Sequence, residues 1–153
     1  MPGALYLVDS NVLLRWIKPD DRDYPLVVSA IEIALQNDAV LCYTSQNVGE
    51  FWNTCTRPLE RNGYGLSPQE ADRRAAIFER KLRLLPDSLA VHQEWRRLLV
   101  THNVSGVQVH DARLAAAMRV HAVKRVLTFN EKDFARYPGI EAVHPRSLAA
   151  ETR

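Results

Sequence analysis

The sequence predicts an α/β domain built on a parallel sheet. Short apolar runs alternate with longer stretches of helical periodicity along the whole chain. At 153 residues there is one domain's worth of protein, with no internal repeat, low-complexity tract or linker to divide it.

The first strand is read at Leu5–Val8 and ends at Asp9. Ser10 or Asn11 is expected to cap a helix running through Trp16 and Ile17, which Lys18-Pro19-Asp20-Asp21 closes. A second helix is expected over about 25–36, with Pro25 in its first turn and Val27, Ala30, Ile31, Ala34 and Leu35 as its apolar stripe. Val40–Tyr43 reads as the next strand. Thr44 or Ser45 then caps a helix to about Cys55, in which Val48, Phe51, Trp52 and Cys55 fall at helical spacing, and Pro58 prevents its continuation. Residues 57–66 carry two glycines and read as a loop.

Ser67-Pro68-Gln69-Glu70 is a helix start, with Ser67 as cap and Glu70 at the capping-box position, and that helix should reach about Arg80. A short third strand is expected within 82–85. Pro86-Asp87-Ser88 leads into a helix burying Val91, Trp95, Leu98 and Leu99. After a loop around Gly106, a helix is expected over about 111–121, then a strand over 125–128, a turn or short helix over 130–137 and a weak last strand over 140–143. Residues 1–146 are expected to form the domain, and 147–153 a peripheral tail.

Hydrophobic residues make up 46% and charged residues 25%, which suits a packed core and excludes a disordered chain. The apolar start is interrupted by Asp9, too early for a signal-peptide core or a membrane span, so a cytoplasmic location is expected. Cys42 and Cys55 lie in apolar surroundings and read as buried thiols; with no CxxC, a cysteine zinc site is excluded. Five histidines show no HExxH spacing, and Trp16, Trp52 and Trp95 read as core aromatics. The net charge of +2 permits nucleic-acid binding without demonstrating it. Basic residues bunch at Arg73, Arg74, Arg80, Lys81 and Arg83, and again at Arg119, Lys124, Arg125, Lys132 and Arg136; each group reads equally as a phosphate track or a solvated helix face.

The acids carry the chemistry. Asp9 ends the first strand, at the sheet edge where open parallel sheets form sites, and reads otherwise as a helix cap. Asp111 is in helical register with Leu114, Ala115, Met118 and Ala122; a charge in that register needs a partner or a metal, unless it only complements the helix dipole. Glu50 faces away from Phe51, Trp52 and Cys55, on a polar face with Asn47 and Thr54, and reads as a surface glutamate or as the border of a cleft. Thr128-Phe129-Asn130-Glu131-Lys132-Asp133 follows a strand and so lies at the same edge; Asp133 is either a ligand or a turn cap.

The segments LYLVDSNVLL (5–14), TSQNVGEFWN (44–53), VHDARLAAAM (109–118) and VLTFNEKDF (126–134) together resemble the PIN-domain ribonucleases, especially the VapC-like toxins of toxin–antitoxin pairs. The resemblance implies a three-layer α/β/α sandwich with a parallel, roughly five-stranded sheet. It implies an acidic core of Asp9, Glu50 and Asp111. A fourth acid commonly lies two positions after a Thr; here that position is Asn130, and Asp133 is the nearest substitute. Mg²⁺ or Mn²⁺ is the implied cofactor, since oxygen donors suit hard cations. Asp9 and Asp111 are the implied principal ligands, with Glu50 and Asp133 as further ligands or orienters of the attacking water. Ser10 and Thr128 are read as holding ligands or phosphate, and Arg15 and Arg113 as candidate backbone contacts. RNA is the implied substrate, a small antitoxin the implied partner, and a homodimer or an antitoxin-bound hetero-oligomer the implied assembly, with no membrane. A non-toxin nuclease of RNA maturation or decay, or a catalytically weak RNA-binding protein of the same fold, stands as the alternative.

Overall fold

Four parallel pairings join five strands into one sheet, in the order β3-β2-β1-β4-β5. The structure is a computed structural model and describes residues 3–150. The strands are β1 (Leu5–Val8), β2 (Val40–Tyr43), β3 (Arg83–Leu84), β4 (Arg125–Leu127) and β5 (Glu141–Val143). β1 is central: Tyr6 is in register with Leu41 on one side and Arg125 on the other. The chain winds outward from β1 through β2 to β3, then returns to β4 on the opposite side of β1. That reversal makes the crevice at the carboxyl ends of β1 and β4 a topological switch point, where open α/β sheets place their sites.

Seven α-helices cover the sheet among the described residues: α1 (Ser10–Trp16), α2 (Tyr24–Gln36), α3 (Ser45–Thr56), α4 (Pro68–Glu79), α5 (Leu89–Thr101), α6 (Gln108–Val120) and α7 (Pro145–Ala149). None is long and apolar enough to cross a membrane. Alternation along the strands divides the core, because successive side chains point to opposite faces. Val8, Leu41, Tyr43 and Leu127 pack with α1, α2, α3, α4 and α7. Leu7, Cys42 and Val126 face the other way, onto Leu114 and Met118 of α6. Helix α5 packs outside α6 through Val91 and Leu98. The result is the expected three-layer sandwich with a parallel five-stranded sheet.

Local signals account for most of the boundaries. The side chain of Thr44 accepts from the Asn47 backbone, and Asn47 Oδ1 accepts from the Thr44 backbone, so a full capping box opens α3. Ser67 caps α4 as expected, but Glu70 turns along the helix to Arg73 and Arg74. Helix α1 is capped by Asp9 itself, whose carboxylate accepts from the Ser10 backbone, in place of Ser10 or Asn11. Helix α6 starts at Gln108, nearer Gly106 than expected, so Asp111 sits inside the first turn. β3 is confined to Arg83–Leu84, shorter than 82–85, with Leu82 and Leu85 buried on either side of it. Both cysteines are free and buried.

The segment after Pro145 is not peripheral over the residues described. Pro145 and Leu148 are buried, and α7 packs along α2; residues 151–153 lie outside the described part. A hydrophobic residue every third position was enough to dock one helical turn. Leu148→Ala should therefore destabilise the protein by about 2–5 kcal/mol in urea unfolding, as a buried leucine does. A change within about 0.5 kcal/mol, normal for surface positions, would show that α7 contributes nothing.

Candidate active site

Asp9 leaves β1 at the switch point with only 6% of its surface exposed. Its backbone N–H still follows the sheet, donating to Leu127 at 3.0 Å. Its carboxylate is held on both oxygens. Oδ1 accepts from Ser10 N at 2.8 Å, and Oδ2 accepts from Thr128 Oγ1 at 2.9 Å and Asn11 Nδ2 at 3.4 Å. These bonds favour the charged form, yet burial outweighs them, and Asp9 is raised from 3.8 to about 6. The negative charges of Glu50 and Asp133 push in the same direction.

Asp111 reaches the same region from the first turn of α6. Burial raises it to about 7, helped by the charges of Asp133, Asp9 and Glu50. The structure thus brings the four sequence-predicted acids within electrostatic reach of one another. They arrive from a strand end, two helices and the 3-10 turn Glu131–Phe134. In that turn Phe134 is buried and anchors the backbone, while Asp133 stays exposed.

Glu50 is fixed rather than free. Ser10 Oγ donates to Oε1 at 3.1 Å and Gln46 Nε2 to Oε2 at 3.3 Å. These replace the Arg57 or Thr54 partner that a surface glutamate would take. The polar face expected at Asn47, Glu50 and Thr54 divides: Asn47 is fully buried in its capping box, and only Glu50 joins the acids. Asn130 is exposed and approaches through its backbone, donating to Thr128 Oγ1 at 3.0 Å.

Two supporting residues escape the sequence reading. Asn11 donates to Asp9 and to Thr128 Oγ1 and accepts from Phe129 N, so it ties the ends of β1 and β4 together. Gln46 lies one turn before Glu50 and also donates to the His110 carbonyl at 2.8 Å. The i, i+4 spacing of Gln46 and Glu50 was the signal available for it.

The expected basic contacts are largely engaged elsewhere. Arg15 donates to the Asn11 carbonyl at 2.7 Å, pairs with Asp23 at 3.5 Å and lies over the Phe129 ring. Arg73 and Arg74 pair with Glu70, Arg119 with Glu94, and Arg125 with Glu141.

Among the described residues, no three His, Cys, Asp or Glu side chains stand close enough to enclose an ion as they are placed. The donor chemistry nevertheless fits a hard divalent cation. All four candidates offer oxygen, and two are held far above the ordinary aspartate range by burial and by like charge. A cation relieves both effects.

The raised values also set a stability trend. An acid whose pKa is higher folded than unfolded leaves the folded state holding more protons between the two values. The contribution of Asp9 and Asp111 to stability should therefore fall as pH rises from 3.8 to about 7, against the opposite trend of the lowered Glu70 and Glu94 at the acid end. Urea unfolding in EDTA across that window should show the decline, and Asp9→Asn with Asp111→Asn should flatten it. Equal slopes in the two proteins would mean that these carboxylates are not the cause.

Comparison with known proteins agrees with the fold. The fold is shared with VapBC2 of Rickettsia felis, solved bound to a DNA fragment from its promoter: TM-score 0.70, 15% identity, 92% of this chain and 98% of the other. VapC20 of Mycobacterium tuberculosis, a toxin cleaving the sarcin-ricin loop, gives TM-score 0.65, 18% identity and coverage of 88% and 95%. DNA-bound VapBC of Salmonella typhimurium gives TM-score 0.65, 18% identity and coverage of 95% and 99%. No curated protein sequence matches the chain. The model of the PIN domain matches residues 6–140, almost the whole of it, and by that match the chain belongs to the PIN-domain family.

Proposed function

We propose that this protein is a divalent-metal-dependent ribonuclease and the toxin of a toxin–antitoxin pair, held in check by a small antitoxin. The observation that carries the chemistry is the pair Asp9 and Asp111, both raised and both within reach of Glu50 and Asp133 at the switch point. The family match and the likeness to VapC-type folds support the toxin reading.

Asp9 and Asp111 would hold Mg²⁺ or Mn²⁺. When bound, such an ion supplies positive charge that polarises a phosphodiester and acidifies water. Thr128, Ser10 and Asn11 fix the Asp9 carboxylate in one orientation. Glu50, held through both oxygens by Ser10 and Gln46, would orient the attacking water and take its proton. Asp133, exposed in its turn, would act as an outer-sphere partner of the ion or help hold a second one. Asn130 offers a neutral amide where a fourth carboxylate is common, so the chain itself supplies one ion position more strongly than two.

The test is cleavage of mixed structured and unstructured RNAs by purified, antitoxin-free protein with Mg²⁺, Mn²⁺ or EDTA. Cleavage should require metal. Asp9→Asn and Asp111→Asn should each lower it by at least about 100-fold, since removing even a ligand's supporting partner is worth about 10–100-fold. Thr128→Val should fall within that supporting range. Equal cleavage by the wild type and both Asp variants would sink the mechanism. A folded protein that binds RNA but cuts none with either metal would favour the binding-protein alternative.

A further inference from the structure

Near the acids lies a cavity of about 290 Å³, lined by Asp87 and Ser88 ahead of α5, by His92 and Trp95 of α5, and by His110 and Arg113 of α6. We infer that this cavity is a nucleobase subsite, taking a base of the RNA strand next to the phosphate that the acids attack. The inference rests on the nuclease reading and adds to it where the substrate's sequence is read.

Position is the first argument. His110 and Arg113 stand three apart on α6 and so share one face, with Asp111 off that face at the same helix start. Gln46 donates both to Glu50 and to the His110 carbonyl, so one side chain links the acids to the cavity's backbone. That link sets the cavity's wall one side chain away from Glu50.

The second argument is the aromatic ring. Trp16 and Trp52 pack against the main core, as the sequence reading expects of all three tryptophans. Trp95 is half-buried on the α5/α6 cluster and also lines the open cavity. Its Nε1 donates to the Val109 carbonyl at 2.8 Å, which fixes the ring before any ligand arrives. The Arg113 guanidinium lies over the ring at 6.0 Å from its centroid, a loose contact that an entering base would displace or stack beneath, and a fixed aromatic face is the element that stacks an unpaired base. His92 meets the ring edge to face at 6.0 Å and, with His110 and Ser88, supplies polar atoms for a base edge.

Charge and size decide between base and phosphate. The Arg113 guanidinium pairs with Asp87 at 3.2 Å, and the neighbouring acids add negative charge. That balance disfavours a second phosphate and leaves a neutral base as the better occupant. The volume falls just under the range of small-ligand pockets, about 300–1,000 Å³, which leaves room for a single base and no larger ligand.

The first readout needs no activity. Each of the four ribonucleoside 5′-monophosphates is titrated into the wild-type protein in EDTA, with ribose 5-phosphate as the baseless control, while the indole N–H signals of all three tryptophans are followed by NMR. At least one nucleotide should move the Trp95 signal and leave Trp16 and Trp52 in place, ribose 5-phosphate should not, and His92→Ala should weaken the effect. The second readout is the cleavage-site profile on a random RNA pool. Trp95→Leu should change the base preference beside the cut and raise KM about tenfold or more, from the usual worth of one stacked base. Trp95→Phe keeps a ring and should restore most of both, which separates stacking from folding damage. If RNA is cut but no nucleotide moves Trp95 and the Leu variant keeps the wild-type profile and KM, the subsite is wrong and the nuclease stands. If nucleotides move Trp95 but no RNA is cut, the base site stands and the nuclease reading falls.

Discussion

The carboxylate of Asp9 is the constraint on which the rest of the site depends. It is almost fully buried at the carboxyl end of the central strand, and Thr128 from the end of β4 donates to it across the switch point. Its backbone caps the register of β1 against β4, and its side chain caps α1. One residue therefore closes the sheet's central seam, starts a helix and presents an anionic oxygen to the crevice. Burial outweighs its hydrogen bonds and raises it to about 6, so a charged group is held where its neutral form is favoured. Such conflict between local stability and charge placement is what a functional site shows.

Around that point the support is layered. Asn11 ties Asp9, Thr128 and the Phe129 backbone into one network. Ser10 links the network to Glu50, and Gln46 links Glu50 to the start of α6 beside Asp111. The acids thus come from separate elements: Asp9 and Glu50 are each held by a partner on another element, and Asp111 is carried by a helix start that Gln46 ties down. Orientation by such outer partners tunes ligands nearly as much as the ligands' own identity does. Asp133 is the exception: it is exposed in a short turn whose only buried anchor is Phe134. That difference fits an outer role for Asp133 and an inner one for Asp9 and Asp111.

Much of this was legible in the sequence. The strand runs and helix stripes follow from periodicity, and Asp9 and Thr128 fall at strand ends where α/β sheets place sites. Asp111 was marked by its register with Leu114, Ala115 and Met118, which the structure buries. Pattern alone was ambiguous for Glu50, because a glutamate on a polar helix face looks the same whether solvent or a cleft lies opposite. Only the long-range contact with Ser10, forty positions away, resolves it. Asn47 misled for the related reason that a polar residue can be buried by its own backbone turn, as its capping box shows. The docking of α7 and the opening beside Trp95 depend on what packs against them, and neither is written in local spacing.

The central claim is that raised carboxylates at the switch point are shed of their protons by a divalent cation. Calorimetric titration of Mn²⁺ into the protein, in buffers of different ionisation enthalpy, counts protons released on binding. At a pH between about 6 and about 7, where Asp9 and Asp111 are partly protonated, binding should release protons; well above pH 7 the release should fade. Asp9→Asn with Asp111→Asn should abolish both the binding and the release. Binding with no proton release at either pH, or release unchanged in the double variant, would contradict the account.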